Sequence, residues 1–286
     1  MTPPTLLITG ATGQVGGALL PLLAQHPAGL LAGSTQGHAV AGVPGRAVDF
    51  TRPDTLAQAF TGVEIAFIVI PLHPGMVEMA KNVARAAQAA GVKHLVRISG
   101  AGADPLSPLA IARAQGQVDQ ALQDSGVPCT FLRPKNFMQN FSSFQAGMIQ
   151  SGRFYSSHGD GRVPFVDVRD IAAVAATVLK DPAAHARQAY VLTGPEALTS
   201  QEAVAAIANA TGRPVTWVAI PEASAVQAMR EMGMPDFAVD VMSSLNQAIA
   251  AGLVAEVTDT VQQLTGQPPR RFEDFVQQHL SAWQMA

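Results

Sequence analysis

The feature that most restricts this chain lies within its first twenty residues. "TLLITGATGQVGGALL", Thr5 to Leu20, is an apolar run, then glycines at 10, 13 and 16, then an apolar stretch with helical spacing. The uncharged run "TLLIT", bounded by glycine, reads as a strand buried on both faces. Gly10 permits a tight turn, Gly13 lets the backbone approach a ligand, and Gly16 lets a helix pack closely on the strand. The first amides of that helix then face outward at its positive end, an arrangement that holds the pyrophosphate of a dinucleotide. A glycine-rich turn with no ligand is the plainer alternative. A strand before and a helix after favour the ligand.

The pattern that follows supports an α/β chain. Helical spacing from about Gly13 to Gln25 is stopped by Pro27 and Gly29. "GLLAG" and "GRAVDF" read as second and third strands, and "RPDTLAQAF" as a short helix with Asp54 as its cap. "IAFIVIP", "KHLVRIS" and "CTFLRP" are strands separated by helices over Met76–Ala90 and "ARAQGQVDQALQDSG", each ending at a glycine suited to a left-handed stop. Repeated strand–helix–strand units imply a doubly wound parallel sheet covered on both faces.

Beyond about Phe144 the rhythm loosens. "VDVRDIAAVAATVLKDP" is a helix capped by Asp167, with Asp170 near its positive end. Thr199 and Glu202 form a capping box for a helix ending near Gly212. "AYVLTGP" and "PVTWVAI" are strands, and helices continue from Pro221 to "RRFEDFVQQHLSAW". The expected division is 1–150 for the nucleotide-binding part and 151–286 for a smaller α/β lobe, with some segments returning to the sheet.

Composition narrows the function classes. The chain has 286 residues, 48% hydrophobic and 14% charged, with net charge −3, and its densest basic spot is Arg270-Arg271. Binding a phosphate backbone needs a clustered basic face, so no nucleic acid is expected. The apolar segments fall short of the ~20 residues of a membrane span, and the N-terminus has no basic lead. No membrane and a cytoplasmic location are therefore expected. The lone Cys129 lies in an apparent core strand and reads as a packing residue. No His, Asp or Glu cluster has metal-ligand spacing, so no metal is expected.

Cofactor preference stays open at this level. An NAD pocket usually has an acid about 20 residues past the loop, and an NADP pocket has an arginine nearby. Here the stretch is "AGSTQGH", with neither. Ser34, Thr35 and Gln36 can bond a ribose hydroxyl or a phosphate oxygen, and Arg46 can swing in. Asp49, before Phe50, reads either as an acceptor for the adenine amino group or as a turn former.

The segments "TGATGQVGG", "IVIP", "GVKHLVRISGAGA", "SGVPCTFLRPKNFMQNF", "RVPFVDVRDIAAVAATVL" and "YVLTGPEALT" resemble the atypical short-chain dehydrogenase/reductases of the NmrA-like type. The resemblance covers residues 5 to 285. It is similar to the triphenylmethane reductases, the quinone oxidoreductase 2 type and the ergot-alkaloid-pathway reductases within that group. It implies a Rossmann domain, a smaller C-terminal substrate lobe, and a nicotinamide in the cleft between them. It also implies that Gly10, Thr12, Gly13, Gln14 and Val15 wrap the pyrophosphate beside Gly16, and that Asp49 and Phe50 flank the adenine. Ile70, Pro71 and Leu72 follow the ribose, Ser99 and Gly100 approach the nicotinamide, and Pro134, Asn136 and Phe137 line its far side. In relatives that take NADPH an arginine stands about where Ser34 is here, so NADP and NAD both remain open.

Ordinary members of the wider superfamily use a Tyr and a Lys four residues later. The matching positions here are Ile111 and Gln115. Ketone–alcohol interconversion by that route is not expected. Hydride delivery depends mainly on orienting donor and acceptor. The expected activity is therefore an NAD(P)H-dependent oxidoreductase serving a small-molecule acceptor: a quinone, a cationic dye or an iminium ion. The alternative is a non-catalytic redox sensor acting through a protein partner. His73 and His158 read as loop histidines and Lys135 as facing substrate or solvent. Phe137, Met138, Phe141, Phe144 and Met148 read as core or as an aromatic pocket.

Overall fold

The computed structural model describes residues 5–25 and 29–284, so the expected stop at Pro27 lies outside the described residues. Its strands in chain order are β1 Thr5–Thr9, β2 Gly29–Ser34, β3 Gly45–Ala47, β4 Ile65–Ile68, β5 His94–Ile98, β6 Cys129–Pro134, β7 Arg153–Ser156, β8 Arg162–Val163, β9 Ala189–Leu192, β10 Leu198–Thr199 and β11 Thr216–Ala219. The helices are α1 Gln14–Leu23, α2 Pro53–Phe60, α3 Met76–Ala89, α4 Ala110–Gln123, α5 Ala146–Gln150, α6 Val168–Lys180, α7 Ser200–Thr211, α8 Glu222–Glu231, α9 Asp236–Ala250, α10 Thr260–Thr265 and α11 Phe272–Gln278.

The chain forms two compact units, neither of them a single stretch. The first comprises 1–108, 112–133 and 171–191, and the second 109–111, 134–170 and 192–286.

A seven-stranded sheet of order β3-β2-β1-β4-β5-β6-β9 is the frame of the first unit. The pairs β3–β2, β2–β1, β1–β4, β4–β5 and β5–β6 are all parallel. Strands β1 and β4 are almost wholly apolar and buried, as a strand covered on both faces must be. From β1 the chain winds outward to β3, then returns to β4 on the other side of β1. Right-handed crossovers running in opposite directions put helices on both faces. They also part the loops at the carboxyl ends of β1 and β4, where ligands of such sheets bind.

Several local expectations change. The third strand closes at Ala47 rather than Phe50, because Asp49 already folds back into a turn. Asp54 does not cap α2: Arg52 is the cap residue, Pro53 opens the helix, and Asp54 lies in the first turn, where its charge still favours the helix. At the start of α6, Asp167 Oδ1 accepts the Arg169 amide at 2.8 Å, as expected of a cap.

The second unit is organised around aromatic rings. Phe141 stacks on Phe154 at 5.6 Å and meets Phe165 and Phe272 edge-on at 5.1 and 5.2 Å. Trp283 is fully buried against Phe275, and its indole N–H donates to the Phe141 carbonyl at 2.8 Å. The indole therefore finds the partner its burial demands. The pairs β7–β11 (parallel) and β8–β10 (antiparallel) flank this core. Thr199 and Glu202 form the capping box on α7, which ends at Gly212 with φ +65°.

Candidate functional site

The turn after β1 is shaped by its glycines. Gly10 has φ +63°, and Val69 stands 3.2 Å from where its Cβ would lie. A Cβ on Gly16 would come within 2.2 Å of the Gly10 carbonyl oxygen, and one on Gly13 within 3.2 Å of the same atom. Gly13 is the N-cap of α1. No side chain caps the helix, and no acid lies in its first turn. The first turn lies at the positive end of the helix dipole, which favours an anion there.

Beside the turn lies a groove of about 350 Å3 lined by thirteen residues. Gly10, Thr12 and Gly13 supply one side, Gly33, Ser34 and Thr35 the end of β2, and Val48, Asp49, Phe50 and Thr51 the segment after β3. Val69, Pro71 and Met79 complete it. Gly33 also sits close: its Cβ would be 3.0 Å from Val48 Cγ2 and 3.2 Å from Thr9 Cα. An uncapped helix start beside a groove walled by glycine, serine and threonine fits a diphosphate joined to a ribose and a flat base.

Asp49 does what a turn former does. Its Oδ1 accepts from the Thr51 hydroxyl at 2.6 Å and the Thr51 amide at 2.9 Å. These bonds hold its carboxyl below the ordinary carboxylate range. Asn82 Nδ2 donates to the Phe50 carbonyl at 2.9 Å and fixes the next residue. Arg46 is not poised to clamp a phosphate, which corrects the sequence expectation. Its NH1 donates to the carbonyls of Ala59 and Thr61 at 2.6 and 2.7 Å, at the negative end of α2.

Of the residues assigned to the cofactor, Gly10, Thr12, Gly13, Ser34, Asp49, Phe50 and Pro71 meet in this groove. Gln14, Val15 and Gly16 form the helix start beside it without lining it, and Ile70 and Leu72 flank Pro71. Thr35, offered with Ser34 as a partner for a ribose or phosphate, lines the groove as well. Gly33, Val48, Thr51, Val69 and Met79 were not assigned to the site, although Gly33 lies in "GLLAG", Val48 in "GRAVDF" and Val69 in "IAFIVIP".

Ser99 and Gly100 follow β5 and belong to a different cluster. Ser99 Oγ donates to Asp119 Oδ2 at 2.8 Å, and Arg133 NH2 donates to the same oxygen at 3.0 Å. Arg97 NH1 pairs with Asp119 Oδ1, and Arg97 NH2 donates to Gln115 Oε1 at 2.6 Å. Arg97 and Asp119 are 1% and 3% exposed. Burial pulls the Arg97 guanidinium below its usual pKa, and Asp119 opposes this. A Cβ on Gly100 would lie 3.1 Å from Gln115 Cγ. Gln115, in the place of the superfamily's lysine, is thus engaged by Arg97.

In the second unit, the backbone of Asn136 accepts from Val166 N at 2.9 Å, and Phe137 bridges Val166 on the segment that continues from Pro134. Met138 and Phe141 are buried core, Met148 packs on that core, and Phe144 is exposed. His158 lies in a loop, as read, and is only partly exposed. Its Nδ1 meets Ser200 Oγ at 2.9 Å, its Nε2 meets Asn246 Oδ1 at 3.1 Å, and burial lowers its pKa. Lys135 is half-buried, and burial lowers its pKa against the pull of Glu256. His73 is exposed and accepts from the Gly75 amide at 2.9 Å. Cys129 is buried, with its thiol pushed up to about 12. Both arginines of the basic spot are paired, Arg270 with Asp170 and Arg271 with Glu196 and Glu273. Among the described residues no group of three acids, histidines or cysteines could hold a metal, and no helix is long and apolar enough to cross a membrane.

The model of the NmrA-like family matches residues 2–257. The chain is 41% identical over 283 residues to an NAD(P)H azoreductase of Xenophilus azovorans, covering 97% of this chain and 99% of that protein. Its fold matches the NADPH-dependent quinone oxidoreductase QOR2 of Escherichia coli, solved with NADPH, at TM-score 0.84 and 28% identity, over 96% of this chain and 99% of that one. It matches the triphenylmethane reductase of Citrobacter sp. at TM-score 0.83 and 26% identity, over 97% of this chain and 99% of that one.

Proposed function

The chain belongs to the NmrA-like family, and on that premise we propose that it is an NAD(P)H-dependent oxidoreductase that reduces conjugated small molecules by hydride transfer. The observation that carries the reading is the uncapped start of α1 beside the glycine-walled groove. The 41% identity to a named azoreductase along nearly the whole chain supports it. Dinucleotide binding is assigned to the first unit and acceptor choice to the second. Location in the cytoplasm goes with that assignment.

Amides at the start of α1 and the helix dipole hold the diphosphate, while the Gly13 N–H donates to the Gly10 carbonyl at 2.9 Å and sets the turn. Ser34 and Thr35 meet the adenosine ribose, Asp49 and Phe50 the adenine, and Ile70 to Leu72 the second ribose. Ser99, whose proton is committed to Asp119, offers only lone pairs. It therefore suits the amide N–H of a carboxamide. Pro134, Asn136 and Phe137 are further candidates for the nicotinamide by family position.

The bound dinucleotide supplies the hydride. The chain orients it and supplies no Tyr–Lys proton relay: at those positions stand an isoleucine and a glutamine bound to Arg97. Acceptors that start as cations need no proton in the same step, and quinones give anions that water protonates afterwards. Azo compounds, the substrates that the azoreductase's name states, extend the set. Steady-state assays should show saturable oxidation of NADH or NADPH with at least one of an azo dye, a benzoquinone, a triarylmethane cation or a cyclic iminium. Tight dinucleotide binding without turnover on any of them would move the chain to the sensor class, with a protein as its partner.

A further inference from the structure

We propose that the groove selects a dinucleotide whose adenosine ribose lacks a 2′-phosphate, so that NAD(H) binds in preference to NADP(H). The inference rests on the reading that this groove holds a dinucleotide. In folds of this order the adenosine ribose lies at the end of the second strand. Here that end is Gly33, Ser34 and Thr35, all groove-lining. Ser34 Oγ already accepts from the Gly37 amide at 3.1 Å, so part of its capacity is used within its own turn.

A 2′-phosphate brings up to about two negative charges, and its usual clamp is a guanidinium that meets it with two bonds. No lysine or arginine is among the residues that line the groove. Arg46, on the adjoining strand, has its charge committed to the last carbonyls of α2. The one ionisable side chain in the wall is Asp49, kept anionic by Thr51. Arg52 acts on Asp49 through space, so it offsets that carboxylate first. The wall therefore presents hydroxyls and a carboxylate, which suit a ribose diol and repel a phosphate.

Calorimetric titration of the full chain with NADH, NADPH, NAD+ and NADP+ tests this. NADH should bind at least ~10-fold more tightly than NADPH, and NAD+ likewise over NADP+. Ser34→Arg should raise NADPH affinity ~10-fold and shrink the NADH-over-NADPH preference by about the same factor. If that substitution disturbs the turn and weakens NADH too, Thr35→Arg, at an exposed position on the same wall, is expected to give the same gain. Equal or tighter binding of NADPH by the native chain would overturn the inference and leave the proposed function standing, and an accompanying loss on Arg52→Gln would identify the cation responsible. No gain from either arginine variant would also overturn it. If none of the four dinucleotides binds, the proposed function itself fails, and the selectivity with it.

Discussion

Two regions of the first unit use polar chemistry in opposite ways. The groove beside the glycine turn is walled by main chain, hydroxyls and small residues, with a single carboxylate. In the cluster behind Ser99, Asp119 binds both Arg97 and Arg133, and Arg97 in turn binds Gln115. The charge of this cluster is paired inward and joins β5, β6 and α4, whereas the groove wall offers backbone dipoles and hydroxyls.

The comparison breaks most visibly at Asp119. Asp119→Ala would leave Arg97 and Arg133 without their shared carboxylate, and removal of one partner from a buried ion pair costs about 3–5 kcal/mol. Urea unfolding should show that loss. A loss below ~1 kcal/mol would mean that water reaches the cluster and that it does not order the site.

The far end of β5 gives a second, pH-dependent test. His94 is 3% exposed, its Nε2 lies 2.8 Å from Thr130 Oγ1, and burial and the nearby His185 lower its pKa to about 4. Well above pH 6.5 it is neutral in both folded and unfolded chains and contributes no slope. As pH falls from about 6.5 toward about 4 the unfolded chain takes up the proton and the folded one does not, so stability drops. The total is on the order of 3 kcal/mol. His94→Gln should remove that part of the pH dependence, measured as the difference between the two stability–pH curves.

A smaller effect is expected at the turn. Gly16→Ala forces a methyl toward the Gly10 carbonyl oxygen and should cost about 2 kcal/mol in thermal unfolding. Dinucleotide affinity should fall more than ~10-fold, because the first-turn amides move with the helix. Smallest is Arg46→Ala, which removes the guanidinium's hydrogen bonds from the end of α2 and should cost about 1 kcal/mol without changing NADH affinity. If NADPH binding alone weakens in Arg46→Ala, the guanidinium leaves the helix to meet the phosphate, and the contrast between the two regions blurs.

What could be read from sequence follows the same contrast. The glycine turn was legible because its geometry demands a residue type at fixed spacing. Gly10 needs a positive φ, and Gly16 has no room for a Cβ. The capping box of Thr199 and Glu202 was legible for the same local reason. The Asp119 cluster was not. Its members come from β5, α4 and β6, and only the register of those elements brings them together. Arg46 misled because an arginine near a phosphate-binding turn looks like a clamp until the end of α2 arrives beside it. His158 lies in the loop that "SSHGDGR" suggests, but the partners that hold its ring, Ser200 and Asn246, are 42 and 88 residues away. The parallel pairing of β7 with β11 depends on a similar long-range match.

Backbone amide resonances followed during NADH titration would probe the diphosphate cradle residue by residue. Thr12, Gly13, Gln14, Val15 and Gly16 should shift most, and saturate together at one stoichiometric equivalent. Saturation of the protein with those five resonances unmoved would contradict the account, because the ligand would then sit somewhere other than the start of α1.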